Sequence, residues 1–346
     1  MSKTLQDYAT LINDTIQSNE INHYITTDNM CQNLGGIDTF KNINIPQGKV
    51  RSFQKDDVLL SNIRLYFRKV YRAKQKGGCS SDVLVFRAKH IDSTTLFAIL
   101  SSQIFTDYAC SGSQGSKMPR GNKTHMMNFK IPTINFTIAK IFNSIQNKIE
   151  NNHKINELLH TLAYKIYEYY FKYKPKNAKL EQIIIENPKS SIMVKNAQKT
   201  QDKYPFFTSG DNILSYPQAI IDGRNCFLNT GGNADIKFYV GKASYSTDTW
   251  CICANEFSDY LYLLLSSIKT HINQSFFQGT SLKHLQKNLL KKYPIYMPSA
   301  HEIKKFNQII MPLLTLISIN TRTSKKLEQI RDFLLPLLLK QQVKPQ

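Results

Sequence analysis

The sequence has no long apolar segment, and this absence excludes a helix that crosses a membrane. The longest apolar run, Phe333-Leu-Leu-Pro-Leu-Leu-Leu339, is interrupted by Pro336 and is far shorter than the ~18 residues that a bilayer requires. The first residues, Met1-Ser-Lys-Thr-Leu-Gln-Asp7, contain no apolar signal core. We therefore expect no membrane partner and a cytoplasmic location.

Cysteine is scarce, and its spacing does not favour a metal site. Of the six cysteines, only Cys251 and Cys253 lie close together in the sequence, with one residue between them. Zinc sites require a wider spacing. In the cytoplasm all six are expected to be reduced thiols. The sequence therefore predicts neither a bound metal nor a cofactor.

Catalytic motifs are absent as well. The chain has no G-x-x-x-x-G-K-[ST] nucleotide-binding loop and no G-x-S-x-G nucleophile elbow. It also lacks the Asn-Pro-Pro-Tyr tetrapeptide with which amino-methyltransferases orient an adenine amine. No motif in the sequence supports catalysis by this chain, and we predict that it is not an enzyme.

Acidic residues are heavily outnumbered by basic ones. The chain has 45 Lys and Arg against 25 Asp and Glu, which gives a net charge of +20. The excess is shared equally, with 23 basic and 13 acidic residues in 1–175 and 22 basic and 12 acidic residues in 176–346. Two equally basic halves indicate a polyanion that is contacted in two places.

Two long amphipathic segments, one in each half, follow the same pattern. Their inward positions alternate at spacings of three and four residues, which is typical of a coiled-coil seam. The first seam contains Phe142, Ile145, Ile149, Asn152, Leu159 and Ile166. A shift of 168 positions gives the second seam, which contains Leu313, Ile317, Asn320, Leu327 and Leu334. The alternative is a pair of ordinary surface helices on two unrelated domains.

We predict that these segments form two spacer helices, 137–175 and 300–346, that pair antiparallel. The polar residues near the middle of each seam would fix the register at some cost in stability. Pro312 removes a helical hydrogen bond, so a helix start or a kink is expected near Met311. The remaining segments, 1–136 and 176–299, are predicted to be two α+β domains, the second of them beginning with a linker.

Several motifs in the two domain segments resemble one family. The first segment contains Asp57-Val-Leu-Leu-Ser-Asn-Ile-Arg64, Gly77-Gly-Cys-Ser-Ser-Asp-Val-Leu-Val-Phe86 and Gly115-Ser-Lys-Met-Pro-Arg-Gly121. The second contains Tyr204-Pro-Phe-Phe-Thr-Ser-Gly210, Asn229-Thr-Gly-Gly-Asn-Ala234, Ser246-Thr-Asp-Thr-Trp250 and Gly279-Thr-Ser-Leu-Lys-His-Leu285. In this order, and with a helical segment after each set, they resemble the target-recognition domains of type I restriction–modification specificity subunits.

The resemblance implies a fold and a function. The fold would be α+β, with two similar target-recognition domains separated by two long antiparallel helices and an approximate internal twofold repeat. Each domain would read one half of a split, asymmetric site in double-stranded DNA, while the helices set the gap. The chain itself would recruit two methyltransferase subunits, and sometimes a restriction and translocation subunit.

Basic and amide side chains give the candidate DNA contacts, since cations bind phosphates and arginine and asparagine read base edges. In the first domain they are Asn62, Arg64, Arg68, Lys69, Lys74, Lys76, Lys117, Arg120 and Lys123. In the second domain they are Asn233, Lys237, Lys242, Thr280, Ser281, Lys283 and Lys287. The neighbouring Tyr66 and Phe67 are interpreted as packing residues. The alternative for each group is a solvated basic face.

Two other functions are compatible with parts of the sequence. Asp222, Asp235 and Lys237 have the loose spacing of a metal-dependent DNA nuclease, in which two carboxylates hold Mg²⁺ and the lysine assists a water molecule. A non-catalytic RNA-binding protein would share the charge and the aromatic residues. It would not explain a rigid spacer between two related domains.

Overall fold

The computed structural model describes residues 3–38, 43–131, 133–197, 203–210, 213–280 and 282–339. The chain divides into two compact units, the first formed by Met1–Asn151 with Ser324–Gln346 and the second by Asn152–Thr323. Within the described ranges, no helix combines the length and hydropathy needed to cross a bilayer. The domain boundaries placed at 136, 175 and 299 remain predictions, because the division into units falls within both long helices.

The first unit is built on two antiparallel-rich sheets and four short helices. Its strands are β1 (Ala9–Ile12), β2 (Thr15–Gln17), β3 (Tyr24–Ile25), β4 (Lys49–Phe53), β5 (Val58–Ser61), β6 (Val70–Arg72), β7 (Gly77–Cys79) and β8 (Val83–Ala88). Its helices are α1 (Leu5–Tyr8), α2 (Ser93–Ser101), α3 (Gln103–Ser111) and α4 (Lys123–Met127). One sheet has the order β1-β8-β5-β6, and the other has the order β2-β4-β7-β3.

The central strand β5 shows why this unit is layered. Val58 and Leu60 pack into a core with α2, α3 and parts of the two long helices, whereas Leu59 packs into a second core with the β2-β4-β7-β3 sheet. Successive residues of a strand point to opposite faces, so a strand that is covered on both faces needs an unbroken apolar run. The segment 58–60 has this run.

The second unit repeats the sheet order of the first. Its strands are β9 (Ala178–Lys179), β10 (Ile185–Glu186), β11 (Tyr204–Phe207), β12 (Leu214–Tyr216), β13 (Arg224–Asn229), β14 (Ile236–Val240), β15 (Ser244–Tyr245), β16 (Thr249–Cys253), β17 (Phe277–Gln278), β18 (His284–Leu285) and β19 (Pro294–Ile295). The order β10-β16-β13-β14 corresponds to β1-β8-β5-β6, with all pairs antiparallel. Its helices are α6 (Val194–Ala197), α7 (Ser258–Ser267), α8 (Lys269–Ser275) and α9 (Lys287–Lys291).

The segment that follows residue 176, which we predicted to begin with a linker, contains strands in its described part. β10 adds an edge strand to the central sheet, and β9 pairs with β19. Leu180 is fully buried and Ile183 is buried with it. The prediction of a linker was based on many lysines and a weak apolar pattern. Strands of only two residues leave little periodicity to detect.

Two long helices belong partly to each unit. The first, α5, covers Phe136–Tyr167 and continues as a π-helical turn, Glu168–Lys172; the second, α10, covers Ala300–Leu338. The predicted start near Met311 is wrong. The helix begins at Ala300, where Ser299 and Glu302 form a reciprocal cap with a 2.9 Å hydrogen bond from the Ser299 amide to the Glu302 carboxylate. Pro312 lies on the exposed side of α10.

The two long helices pair antiparallel within each unit. In the first unit Gln146 contacts Arg331, and in the second unit Asn156 contacts Asn320 through a 2.9 Å hydrogen bond. Among the predicted seam residues, the buried ones are Phe142, Ile149, Asn152 and Ile317. The half-buried ones are Ile145, Leu159, Ile166, Leu313, Asn320, Leu327 and Leu334. The predicted α+β fold with two similar domains and two long antiparallel helices is confirmed.

Candidate nucleic-acid interface

In the first unit three loops meet at what we call the first loop junction, residues 62–64, 82 and 119–121. Three backbone hydrogen bonds hold it. The Asn62 amide donates to the Asp82 carbonyl at 2.8 Å, the Gly121 amide to the Asn62 carbonyl at 3.1 Å, and the Arg64 amide to the Pro119 carbonyl at 2.9 Å. Since these groups satisfy each other, the loops need no further secondary structure to stay together.

The second unit contains an equivalent second loop junction, residues 230–232, 248 and 283–285. The Thr230 amide donates to the Asp248 carbonyl at 3.1 Å, and the Leu285 amide donates to the Thr230 carbonyl at 3.0 Å. The Gly232 amide donates to the Lys283 carbonyl at 2.9 Å. The same three connections therefore recur, in the same order along the chain.

The two junctions carry different side chains at one matched position. Arg64 has a φ of 51° and Gly232 a φ of 80°, so both lie in the left-handed region. The Arg64 guanidinium donates to the Lys117 carbonyl at 3.3 Å and lies 6.0 Å from the centre of the Phe67 ring. Gly232 has open space where a Cβ would stand. The first junction thus presents a cation where the second presents only backbone.

The loop before residue 121 presents the predicted cations of the first unit. Lys117, Arg120 and Lys123 are all exposed. Arg120 forms an ion pair with Asp82 at 3.0 Å. Gly121 is required here, because a Cβ at this position would lie 2.1 Å from the Met126 side chain. This close packing leaves the cations on the outer side of the loop.

Asn62 lies inside the first junction. Its side chain is only 9% exposed, and its Oδ1 has no hydrogen-bond partner among the residues that the structure describes. The Oδ1 atom is 2.9 Å from the place where a Cβ on Gly121 would stand. Asn62 is therefore buried beneath this loop. The exposed side chains beside it are the ones that can contact a ligand directly.

Four predicted contacts of the first unit lie away from the junction cations. Arg68 donates to the Ser101 carbonyl at 2.9 Å and has its pKa lowered by burial. Lys69 donates to the Thr27 carbonyl. Lys74 contacts Asn147 and Glu150 of α5 at 2.8 and 3.2 Å, whereas Lys76 is exposed. Arg68 and Lys69 are therefore half-buried against carbonyls of the first unit, and Lys74 is directed to α5, away from the junction cations.

The predicted contacts of the second unit are also divided. Asn233, Lys242, Thr280 and Lys283 are exposed, and Ser281 lies outside the described residues. Lys237 donates to the carbonyls of Thr208 and Gly210 at 3.1 and 2.9 Å. The Lys287 ammonium lies 5.1 Å from the centre of the Trp250 ring, and burial lowers its pKa. The structure therefore leaves Asn233, Thr280 and Lys283 beside the second junction as exposed polar groups.

Three exposed apolar residues near the junctions were not among the predicted contacts. Tyr66, which we interpreted as a packing residue, is 53% exposed. Met118 and Leu282 are 53% and 57% exposed, and each follows, at the third position, a glycine with positive φ. The matched spacing from Gly115 to Met118 and from Gly279 to Leu282 is the sequence signal that identifies this loop tip.

The nuclease alternative receives no support from the arrangement of its residues. Asp235 is held by Lys269 at 2.7 Å and Lys237 at 3.1 Å. Burial raises the pKa of Asp235, but the hydrogen bond from Lys269 and the charge of Lys237 outweigh it and lower the pKa overall. Within the described part of the chain, no three His, Cys, Asp or Glu residues gather to hold a metal ion.

Comparison with known proteins supports the resemblance noted in the sequence. A family model described as the type I restriction modification DNA specificity domain matches residues 176–329. The match lies in the second half of the chain and shows that this segment is similar to that domain. No curated protein sequence matches the chain.

The shared fold extends beyond the matched segment. A type I restriction–modification S subunit from M. genitalium is 14% identical, with a TM-score of 0.63, and the match covers 99% of this chain and 96% of that one. An HsdS subunit from Thermoanaerobacter tengcongensis is 14% identical over 98% and 96% of the two chains, with a TM-score of 0.36.

These findings agree with the predicted class of protein. Residues 176–329 are similar to the DNA specificity domain of type I restriction–modification systems, and the chain as a whole has the fold of a type I restriction–modification S subunit. The family description names DNA, which agrees with the main prediction and not with the RNA-binding alternative.

Proposed function

We propose that the two loop junctions read the two halves of a split, asymmetric duplex target. The observation that carries the proposal is the recurrence of the same three backbone hydrogen bonds in both units with different side chains around them. A shared backbone arrangement would present both loops to DNA in the same way. Different side chains would then favour different base sequences.

The exposed cations at the first junction are proposed to bind phosphates. Lys117, Arg120 and Lys123 lie on one glycine-containing loop and its following helix. Phosphate contacts fix the register of a protein on DNA without reading sequence. In the second unit Lys283 is the corresponding exposed cation, and Thr280 and Asn233 add polar groups beside it. Arg64, which lies at the matched left-handed position, is the proposed base-reading residue of the first junction.

The long helices are proposed to bind two methyltransferase subunits, one at each unit. In support of this, apolar side chains on the outer faces of α5 and α10 are exposed in both units. In the first unit they are Ile141, Ile330 and Phe333. In the second unit they are Ile155, Leu158, Leu162, Leu316 and Ile319. Exposed apolar residues in this number are typical of protein-binding surfaces. A restriction subunit would join the complex in some systems, and the assembly would act in the cytoplasm.

Methylation sequencing tests the proposal directly. DNA from cells that express the methyltransferase subunit with and without this chain would be compared. We expect a split motif that is methylated only when the chain is present. Exchange of Asn233 and Thr280 for alanine should affect recognition of one half of the motif, and Arg64→Ala should affect the other. A continuous methylated motif, or one that both sets of variants alter in the same half, would contradict the proposal.

A further inference from the structure

The helix pair of the first unit contains a buried charged side chain that the DNA-binding role does not use. Arg331 of α10 is only 2% exposed. Its guanidinium donates to the Gln146 side-chain oxygen of α5 at 3.0 Å and to Asp332 at 3.0 Å. Burial of a guanidinium is unfavourable unless its geometry is well satisfied. These contacts therefore require one particular pairing of the two helices.

The same network reaches the part of the first unit that lies outside the two long helices, which we call its body. Gln146 donates its amide N–H to the Leu34 carbonyl, and Arg68 lies 3.9 Å from Asp332. The Leu34 amide in turn donates to the Arg68 carbonyl at 3.1 Å. We call this set, Arg331, Gln146, Asp332, Arg68 and Leu34, the Arg331 network. It connects both helices to the segments around residues 34 and 68.

The backbone at this contact is strained. Leu34 has a φ of 62° and Arg68 a φ of 49°, although neither is glycine. Residues keep such conformations only where their surroundings determine them strongly. Leu34 is fully buried in the core that also contains Phe142 and Leu338. The body of the first unit is therefore held on the helices by a contact that tolerates little displacement.

Among the described residues, the second unit has no such network at the matched positions, and its polar contacts with α10 lie elsewhere, for example from Arg224 to Thr315 at 3.0 Å. The shift of 168 that relates the two seams pairs Gln146 with Leu314 and Ala163 with Arg331. Both Ala163 and Leu314 are buried in the apolar core of the second unit. Apolar contacts of this kind stabilise packing but specify its geometry less strictly than a buried hydrogen-bond network does.

We infer that the Arg331 network positions the recognition body of the first unit on the helix pair and thereby determines which gap length in the DNA target is accepted. This inference rests on the proposed function, in which the two junctions read a split target. Each added base pair moves a half-site by about 3.4 Å and turns it by roughly 35°. A body that is held firmly on the helix pair cannot rotate with the displaced half-site. A body that is held loosely can.

The decisive variant replaces the network by apolar side chains. Gln146→Leu with Arg331→Met imitates the apolar pair of the second unit while preserving volume. The assembled methyltransferase complex would be assayed on duplexes whose two half-sites, identified by methylation sequencing, are separated by the natural gap and by one base pair more or less. We expect the preference for the natural gap to fall by roughly tenfold, the scale of coupling within a buried network. Arg331→Lys, which keeps a donor for Gln146, should retain most of the preference.

A control variant separates this role from a general loss of stability. Leu59→Ala removes volume from the core that β5 shares with the β2-β4-β7-β3 sheet, which contains no residue of the long helices, and it should leave gap preference unchanged. If it relaxes the preference as much as the double variant does, the inference is wrong. If the double variant does not fold, the single variant Gln146→Leu is assayed in the same way. An unchanged gap preference in that variant would overturn the inference. A target that is not split would instead contradict the proposed function.

Discussion

The two loop junctions share a backbone and differ in chemistry. Both are held by three equivalent amide-to-carbonyl bonds, and both place one residue in the left-handed region. The first junction has Arg64 at that residue and an ion pair between Arg120 and Asp82. The second has Gly232 and a single exposed lysine, Lys283. The comparison teaches that hydrogen bonds of the main chain define the shape of both junctions, while the side chains remain free to differ.

The two units also differ in how they bury a charged pair. In the second unit Arg224 donates from Nε to Asp259 at 2.5 Å and from Nη1 to Thr315 at 3.0 Å. The Asp259 side chain is 2% exposed, and burial raises its pKa although the Arg224 hydrogen bond opposes the shift. In the first unit Asp57 pairs with Arg87, whose side chain is 35% exposed and can be hydrated.

The largest expected effect comes from breaking these pairs. Asp259→Ala leaves the Arg224 guanidinium, whose side chain is only 17% exposed, without its carboxylate partner, so we expect a loss of about 3 kcal/mol in the free energy of unfolding. Asp57→Ala should cost less, about 2 kcal/mol, because water can solvate Arg87. Trp250 is the only tryptophan and is buried in the second unit. Its fluorescence during urea unfolding reports on the second unit and should move to a lower midpoint with Asp259→Ala. Far-ultraviolet circular dichroism reports on both units and should show the smaller loss with Asp57→Ala. Equal shifts would contradict the comparison.

The second effect concerns phosphate binding by the two junctions. Lys117→Ala with Arg120→Ala should weaken DNA binding by the assembled complex and reduce the log–log salt slope by about 0.9 for each lost contact. Lys283→Ala in the second junction should reduce it by about half as much, because one cation is removed instead of two. Fluorescence anisotropy titrations from low to physiological salt measure both slopes. Lys148→Ala, an exposed lysine on α5, is the control, and an unchanged slope in the double variant would remove Lys117 and Arg120 from the interface.

The fold was largely predictable because its strongest signals are local. Buried strands such as β5 and β8 are unbroken apolar runs, and the spacing of three and four residues identified both long helices. The shorter helical segments are less regular, since 93–111 is divided into α2 and α3 and 258–275 into α7 and α8. Ser102 lies in an extended conformation and caps α3 through a hydrogen bond from the Phe105 amide. One residue with a capping side chain does not disturb an apolar pattern enough to reveal such a break.

The candidate site was less predictable, because a sequence shows which residues are charged but not where they point. Arg68 and Lys74 lie in the same basic segment as Arg64, yet their side chains contact Ser101 and α5. These partners are distant in sequence and are brought near only by tertiary packing. Arg331 occupies an inward seam position, but the pattern alone does not provide its partner, Gln146.

A smaller effect is expected from the matched left-handed residues. At Arg64, glycine should be more stable than alanine by about 1 kcal/mol, because alanine keeps the unfavourable φ of 51°. At Gly232, alanine should be less stable than glycine by a similar amount, since the space around a Cβ is open and only the backbone is strained. Thermal unfolding of the four chains measures both differences. A difference at one position only would mean that the two junctions do not share a backbone requirement.

The smallest effect distinguishes the acidic residues of the two junctions. Asp82 holds Arg120 at 3.0 Å and its carboxylate repels phosphate, so Asp82→Asn should strengthen DNA binding by about 0.2–1 kcal/mol at low salt. Asp248 forms no ion pair within the described ranges, so Asp248→Asn releases no cation and its effect should be weaker. The backbone carbonyls that hold the junctions are retained in both variants. Anisotropy titrations at low and high salt provide the test, because an electrostatic gain must diminish as salt rises. Weaker binding by Asp82→Asn would indicate that the Asp82 carboxylate orients Arg120 toward a DNA phosphate. It would not then compete with the phosphate for Arg120.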